Sequence, residues 1–220
     1  MGGIAVYRAE VSALSDPALF EAGMERVPES RREKVTRYRF EEGRMQSLGA
    51  GLLLSAALRE RGIDGRLARV AEGPWGKPYL PEHPEIHFSI SHAGKWALCA
   101  VGDRPMGCDV ERIGRGMEKM AERYFHPEEL AYLKAFGGEE DAPWQRAFTR
   151  IWTRKESYVK MTGRGIGEAI GGFSVMADPP GRRYDEGPGE DGEYCFCVCG
   201  EWEEKAPPEW RDVGMEELIL

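Results

Sequence analysis

The chain has 220 residues, of which 41% are hydrophobic and 31% charged, and its formal net charge is −8. That balance excludes a disordered or fibrous protein, and a chain of this length buries a sizeable core without disulfide staples. An acidic total, with no basic stripe carrying interleaved aromatics, argues against a nucleic-acid partner.

A short strand is predicted at Ile4–Arg8, and Asp16-Pro17 reads as an N-cap followed by proline at the first helical position. Ser30 to Arg61 has a helical pattern with a break near Glu41–Gly43; Gly62 supplies the stop. Its apolar run, Leu48 to Leu58, is about half the ~20 residues a membrane span needs. The start, Met1 to Val6, lacks the basic region and long apolar run of a signal peptide. No membrane partner and a cytoplasmic location are therefore expected.

The middle of the chain carries short β-rich runs at Leu67–Glu72, Ile86–Ser91, Trp96–Val101 and Met106–Glu111, with His92-Ala93-Gly94-Lys95 as a hairpin turn. Helices follow from His126-Pro127 to about Phe136 and from Ala142 to about Met161, the second ending near Gly163. Phe173–Ala177 and Tyr194–Gly200 read as closing strands around an exposed loop, Asp178–Gly192. The order strand, helices, strands thus occurs twice. An α+β fold of two similar halves, 1–103 and 104–220, is expected, with the site between them. Cys195, Cys197 and Cys199 alternate along the last strand, which suits reduced core thiols on one face better than a metal site of Cys-x-x-Cys type.

Four groups of residues carry candidate chemistry. In Gly107-Cys108-Asp109-Val110-Glu111, alternation puts Asp109 and Glu111 on one strand face, roughly 7 Å apart, where they repel unless a cation intervenes. Oxygen ligands favour Mg²⁺, although a solvated strand edge explains the same pair. Trp152, Glu156 and Lys160 fall on one helix face at i, i+4 and i+8, with Lys155 one residue round. An exposed Glu–Lys pair beside a core tryptophan is the plainer explanation there. Gly76-Lys77-Pro78 and Ser91-His92 offer a lysine, a hydroxyl and an imidazole that suit phosphate. Arg31 to Arg44 forms a local basic patch, including Arg37, Arg39 and Arg44, in an otherwise acidic protein. Gly163, Gly165 and Gly167 complete no nucleotide-loop pattern.

The order and spacing of these blocks are more specific than any one of them. Gly76-Lys77-Pro78, Phe88-Ser89-Ile90-Ser91-His92, Gly107 to Glu111 and Trp152-x-x-Lys155-Glu156-Ser157-x-x-Lys160 together closely resemble the 4′-phosphopantetheinyl transferase superfamily. Length and doubled layout look like its monomeric, surfactin-synthetase-activating (Sfp-like) branch rather than the shorter trimeric synthases.

The resemblance implies a pseudo-twofold monomer with coenzyme A between the halves. It also implies transfer of phosphopantetheine to a serine of an apo acyl or peptidyl carrier protein, releasing 3′,5′-ADP. Carried over, Asp109, Glu111 and Glu156 hold Mg²⁺, with Mn²⁺ the other candidate, and Lys160 contacts the transferred phosphate with Lys155 nearby. Lys77, Ser91 and His92 line the nucleotide phosphates, Arg37, Arg39 and Arg44 complete that pocket, and Glu156 serves as base. The carrier is expected at about Gly114–Phe125, with Arg112, Arg115, Lys119 and Arg123 for charge and Met117, Met120 and Phe125 as apolar anchors. A catalytically idle binder of coenzyme A or carrier protein is the competing possibility.

Overall fold

The structure is a computed structural model that describes residues 3–114, 118–165, 168–187 and 192–219. Strand β1 (Ala5–Glu10) leads into helices α1 (Pro17–Met24), α2 (Glu29–Thr36) and α3 (Glu41–Arg59). The small strands β2 (Ala71–Glu72) and β3 (Pro78–Tyr79) precede β4 (His87–Ala93), β5 (Trp96–Gly102) and β6 (Met106–Arg112). Helices α4 (Glu118–Tyr124), α5 (Pro127–Leu133) and α6 (Ala142–Thr162) come next. The chain closes with β7 (Arg183–Glu186), β8 (Tyr194–Gly200), β9 (Glu209–Asp212) and α7 (Met215–Ile219). The expected α+β class is borne out.

Local chemistry sets several boundaries. The Asp16 carboxylate accepts hydrogen bonds from the amides of Ala18 and Leu19, which caps α1 as the Asp-Pro pair predicts. Ala93 pairs with Trp96, so Gly94-Lys95 is a two-residue hairpin loop, and Gly94 supplies the positive φ of 51°. Gly163 ends α6 in the left-handed conformation at φ 67°.

Two sheets form, ordered β4-β5-β1-β9 and β6-β8-β7, beside the two-stranded pair β2-β3. Alternation along the strands sorts the side chains into layers. Tyr7, Ala9, Cys99 and Val101 face α3, where Leu48, Leu52 and Leu53 complete one core. Val6, Leu98 and Ala100 face the other way, against Cys108, Val110, Phe196 and Val198 of the second sheet. Helix α6 covers that sheet's far side: Ser157 Oγ lies 3.4 Å from Cys197 Sγ, and Cys199 Sγ lies 3.8 Å from Met161 Sδ. All five cysteines are free, and the alternating three do share one strand face. The order is helix, sheet, sheet, helix.

The structure departs from the sequence expectations in five places. The helix break falls at residues 37–40, just before Glu41–Gly43. Only Ala71–Glu72 of the run Leu67–Glu72 is strand. Phe173–Ala177 is not a strand: side chains satisfy its backbone, with the Val175 amide donating to Glu129 and the Phe173 and Val175 carbonyls accepting from Lys155 and Arg154. A strand forms instead at Arg183–Glu186, inside the expected loop, paired with β8. Finally, β9 runs parallel to β1, and Met215, Leu218 and Ile219 enter the core of the first sheet. The end of the chain thus packs on its beginning.

Candidate active site

Asp109 and Glu111 lie on the face of β6 turned toward α6, because Cys108 and Val110 are committed to the core between the sheets. Gly107 makes the approach possible: a Cβ there would sit 2.0 Å from the Ser157 carbonyl oxygen and 2.3 Å from the Met161 nitrogen. With strand and helix this close, Lys160 Nζ reaches Asp109 Oδ1 at 2.6 Å and Ser91 Oγ at 2.9 Å. Ser91 in turn donates to Asp109 Oδ1 at 2.8 Å. One residue pair along, the Cys108 amide donates to Ser89 Oγ at 3.0 Å. The two serines of β4 therefore tie the first sheet to the carboxylate strand.

The electrostatics are those of crowded like charges. Burial first, then the Asp109 carboxylate, pushes Glu111 up to about 7; the indole of Trp152 hydrogen-bonds it and works the other way. Burial and Asp109 likewise push Glu156 up to about 7. Burial raises Asp109 while Lys160 opposes the shift, and Asp109 holds the Lys160 ammonium above the ordinary lysine value despite burial. His92 is held down to about 4 by burial and by Lys160, Arg31 and Lys34, so the imidazole is neutral.

Beside these groups opens a cleft of about 480 Å³, a size typical of small-molecule sites, lined by Arg31, Lys34, Lys77, Ser89, Glu156 and Lys160 among others. Arg31 and Lys34 lie on one face of α2, three residues apart, and that spacing was the available sequence signal. Arg37, Arg39 and Arg44 are not brought to the cleft. Arg37 is exposed beside Glu33, Arg39 lies over the Phe40 ring, and Arg44 donates to the Tyr38 carbonyl. Arg37 and Arg39 lie in the turn after α2 and Arg44 in the first turn of α3, and all three are exposed.

Two further expectations need correction. Lys77 lines the cleft, but its Nζ donates to the carbonyls of Met106 and Met161, clasping the start of β6 to the end of α6. Lys155 is fully buried: its Nζ contacts Glu129 at 2.9 Å, the Ile170 and Phe173 carbonyls, and the Phe173 ring. A step of one residue turns a helical side chain by about 100°, which takes Lys155 off the Glu156–Lys160 face. Its partner Glu129 also accepts from the amides of His126 and Val175, so the pair anchors α5 and the 170–175 segment to α6. Lys155→Met is expected to cost about 3 kcal/mol by leaving a buried carboxylate without its cation. Chemical denaturation would measure it. A double variant with Glu129→Gln should lose less than the two single variants summed.

In the expected carrier-docking segment, Arg112, Lys119 and Arg123 are exposed, whereas Arg115 and Met117 lie outside the described residues. Phe125 is no surface anchor. It is 4% exposed and stacks on Phe148 with centroids 5.2 Å apart.

Several features suit a divalent cation here. Asp109 Oδ2 is buried without a hydrogen-bond partner, and the Asp109 carboxylate raises the proton affinity of both Glu111 and Glu156. Among the described residues, however, no three His, Cys, Asp or Glu side chains converge on a single point as a ready-made nest. Lys160 already holds the other Asp109 oxygen. The donor chemistry fits an oxygen-preferring ion.

The raised carboxyls have a thermodynamic consequence. Between about 4.5 and about 7, the folded chain retains protons on Glu111 and Glu156 that the unfolded chain has released. Their contribution to stability is full below the ordinary value of 4.5 and is lost as pH rises through about 7. In metal-free buffer, Glu156→Gln should therefore gain a few degrees of Tm relative to the unsubstituted protein between about pH 5 and pH 8. A Tm difference that stays constant over that range would contradict the shift.

Comparison with known proteins agrees with this layout. Residues 15–103 match a family model described as 4′-phosphopantetheinyl transferase, N-terminal, and residues 105–202 match the 4′-phosphopantetheinyl transferase superfamily model. A 4′-phosphopantetheinyl transferase from Bacillus subtilis is 35% identical over 192 residues, covering 80% of this chain and 83% of the relative. The 4′-phosphopantetheinyl transferase Sfp of Bacillus subtilis strain 168 is 32% identical over 163 residues, covering 74% and 71%. A holo-(acyl-carrier-protein) synthase from Bacillus anthracis, solved in complex with CoA (3′,5′-ADP), aligns with 46% of this chain and 93% of its own. At 18% identity and a TM-score of 0.38, that likeness is too loose to bear on the fold. The chain belongs to the 4′-phosphopantetheinyl transferase superfamily, as an enzyme of its Sfp-like branch.

Proposed function

We propose that the protein transfers the 4′-phosphopantetheine group of coenzyme A to a serine of an apo acyl or peptidyl carrier protein, in a Mg²⁺-dependent reaction. One observation carries the proposal: the Lys160–Asp109–Ser91 cluster, with Glu111 and Glu156 beside it, borders a cleft that Arg31 and Lys34 also line.

In this reaction the serine oxygen bonds to the β-phosphorus of coenzyme A, and the bond from that phosphorus to the bridging oxygen of 3′,5′-ADP breaks. Charge gathers on phosphate oxygens and on the leaving group, so fixed positive charge and positioning dominate catalysis. Arg31 and Lys34 would take the phosphates of the nucleotide end, beside the neutral His92 and the Ser91 hydroxyl. Lys160 would hold an oxygen of the transferred phosphate. Glu156, on the same helix face as Lys160, is the candidate to accept the serine proton. Mg²⁺, held by Asp109, Glu111 and Glu156, would neutralise charge on the diphosphate. Exposed Arg112, Lys119 and Arg123 suit an acidic carrier surface.

Intact-mass measurement tests this directly. The protein is incubated with coenzyme A, Mg²⁺ and a panel of apo carrier proteins, with and without chelator. A phosphopantetheine adduct that chelation removes is expected. Tight coenzyme A binding with no adduct across a broad panel would replace the proposal with a non-catalytic binder.

A further inference from the structure

The same lysine that faces the transferred phosphate is, in the protein by itself, spent on the carboxylate strand. Lys160 Nζ lies 2.6 Å from Asp109 Oδ1 and 2.9 Å from Ser91 Oγ, and Ser91 donates to that same carboxylate oxygen at 2.8 Å. The Asp109 side chain is 4% exposed and its second oxygen has no partner. A buried carboxylate in this position needs a cation to stay ionised, and Lys160 is the cation within reach. Glu156 lies one helical turn before Lys160 on the same face, so the lysine is also the nearest compensating charge on that helix for the crowded carboxylates.

We propose that Lys160 is an internal counter-cation that holds the carboxylate cluster together when empty and so disfavours metal binding until coenzyme A arrives. This rests on the transferase reading of the site. The diphosphate of coenzyme A offers Lys160 a second anion; once the lysine turns to it, Asp109 Oδ1 is released to bind an ion. Metal and coenzyme A are then thermodynamically coupled, each raising the affinity for the other. The coupling is carried by one side chain with two alternative partners and requires no rearrangement of the sheets.

The test measures metal binding without turnover. Mn²⁺ is titrated into the full-length protein and free ion is counted by electron paramagnetic resonance, with and without coenzyme A and with no carrier present. The unsubstituted protein should bind Mn²⁺ weakly alone and at least about tenfold more tightly with coenzyme A. Lys160→Met should bind Mn²⁺ alone at least about tenfold more tightly than the unsubstituted protein, because a positive charge within a few ångströms is gone. Coenzyme A should then add less than it did before. Lys160→Arg keeps the charge and should stay within about twofold of the unsubstituted protein in the absence of coenzyme A. Circular dichroism and thermal melts establish that each variant is folded; if Lys160→Met is not, Lys160→Gln, which removes the charge and keeps a polar donor, should tighten Mn²⁺ binding in its place.

Equal Mn²⁺ affinity in Lys160→Met and the unsubstituted protein overturns the inference, as does a Lys160→Arg variant that tightens as much as Lys160→Met. Adduct formation with apo carrier, scored on the same preparations, keeps the two claims apart. Adducts from the unsubstituted protein with no change in Mn²⁺ affinity in the variants would sink the counter-cation role alone. Absence of adducts would sink the transferase proposal.

Discussion

Glu156→Ala is expected to yield a folded protein that forms no measurable carrier adduct, with a rate loss of at least about a thousandfold, since a positioned acid–base group alone contributes roughly 10²–10⁴. The variant should not be less stable. In the unliganded protein this carboxyl is destabilised by burial and by Asp109, which push it up to about 7, so its removal relieves a repulsion. Activity and stability should therefore move in opposite directions, the mark of a group kept for chemistry. Glu156→Gln separates its duties: the amide preserves shape and one ligating oxygen but accepts no proton, so it should also be inactive at saturating Mg²⁺. Retention of the unsubstituted rate by Glu156→Ala at saturating Mg²⁺ would remove both the ligand and the base role. Single-turnover intact-mass kinetics supply the measurement.

Gly107→Ala should damage both fold and rate. The added methyl would lie 2.0 Å from the Ser157 carbonyl oxygen, 2.3 Å from the Met161 nitrogen and 2.9 Å from the Lys160 carbonyl carbon, all backbone atoms. Helix backbone cannot rotate out of the way as a side chain can, so β6 and α6 must separate. Overpacking of this kind costs about 3 kcal/mol or more, a fall in Tm of roughly 6–12 °C for a chain of this size. Separation also pulls Lys160 and Glu156 away from Asp109, and a displacement near 1 Å can remove about a hundredfold in rate. Gly3→Ala is the control: nothing lies within 4 Å of a Cβ there. If Gly107→Ala melts and turns over like that control, the close strand–helix contact does not position the site.

Much of this was legible in the sequence because it is local. Asp109 and Glu111 share a face because strands alternate, and Glu156 and Lys160 share one because helices repeat every 3.6 residues. The Asp-Pro cap, the Gly94 turn and the Gly163 stop each follow from one or two side chains. The motif order was enough to point to the family before any contact was known.

The sequence also misled where a residue's neighbours in space differ from its neighbours in the chain. Lys155 stands next to Glu156 in the chain, yet one residue of helix turns it into a buried pair with Glu129, twenty-six positions away. Arg37, Arg39 and Arg44 look like the core of a basic patch, but the chain turns between α2 and α3 and leaves them outside, while Arg31 and Lys34 line the cleft. Phe173–Ala177 has strand composition, but its backbone partners are the side chains of Glu129, Arg154 and Lys155.

By itself, then, the sequence determined the class of elements, the pairing of carboxylates on a strand and of acid with lysine on a helix, and the family. Those follow from backbone periodicity and from motif order. Tertiary structure alone decided that Gly107 lets the strand and helix touch, that Ser91 and Lys160 meet on one oxygen of Asp109, and that the last strand returns to pair with the first. Each joins groups from 18 to 204 residues apart along the chain or depends on a gap of a few ångströms, and neither periodicity nor composition encodes distances of that kind.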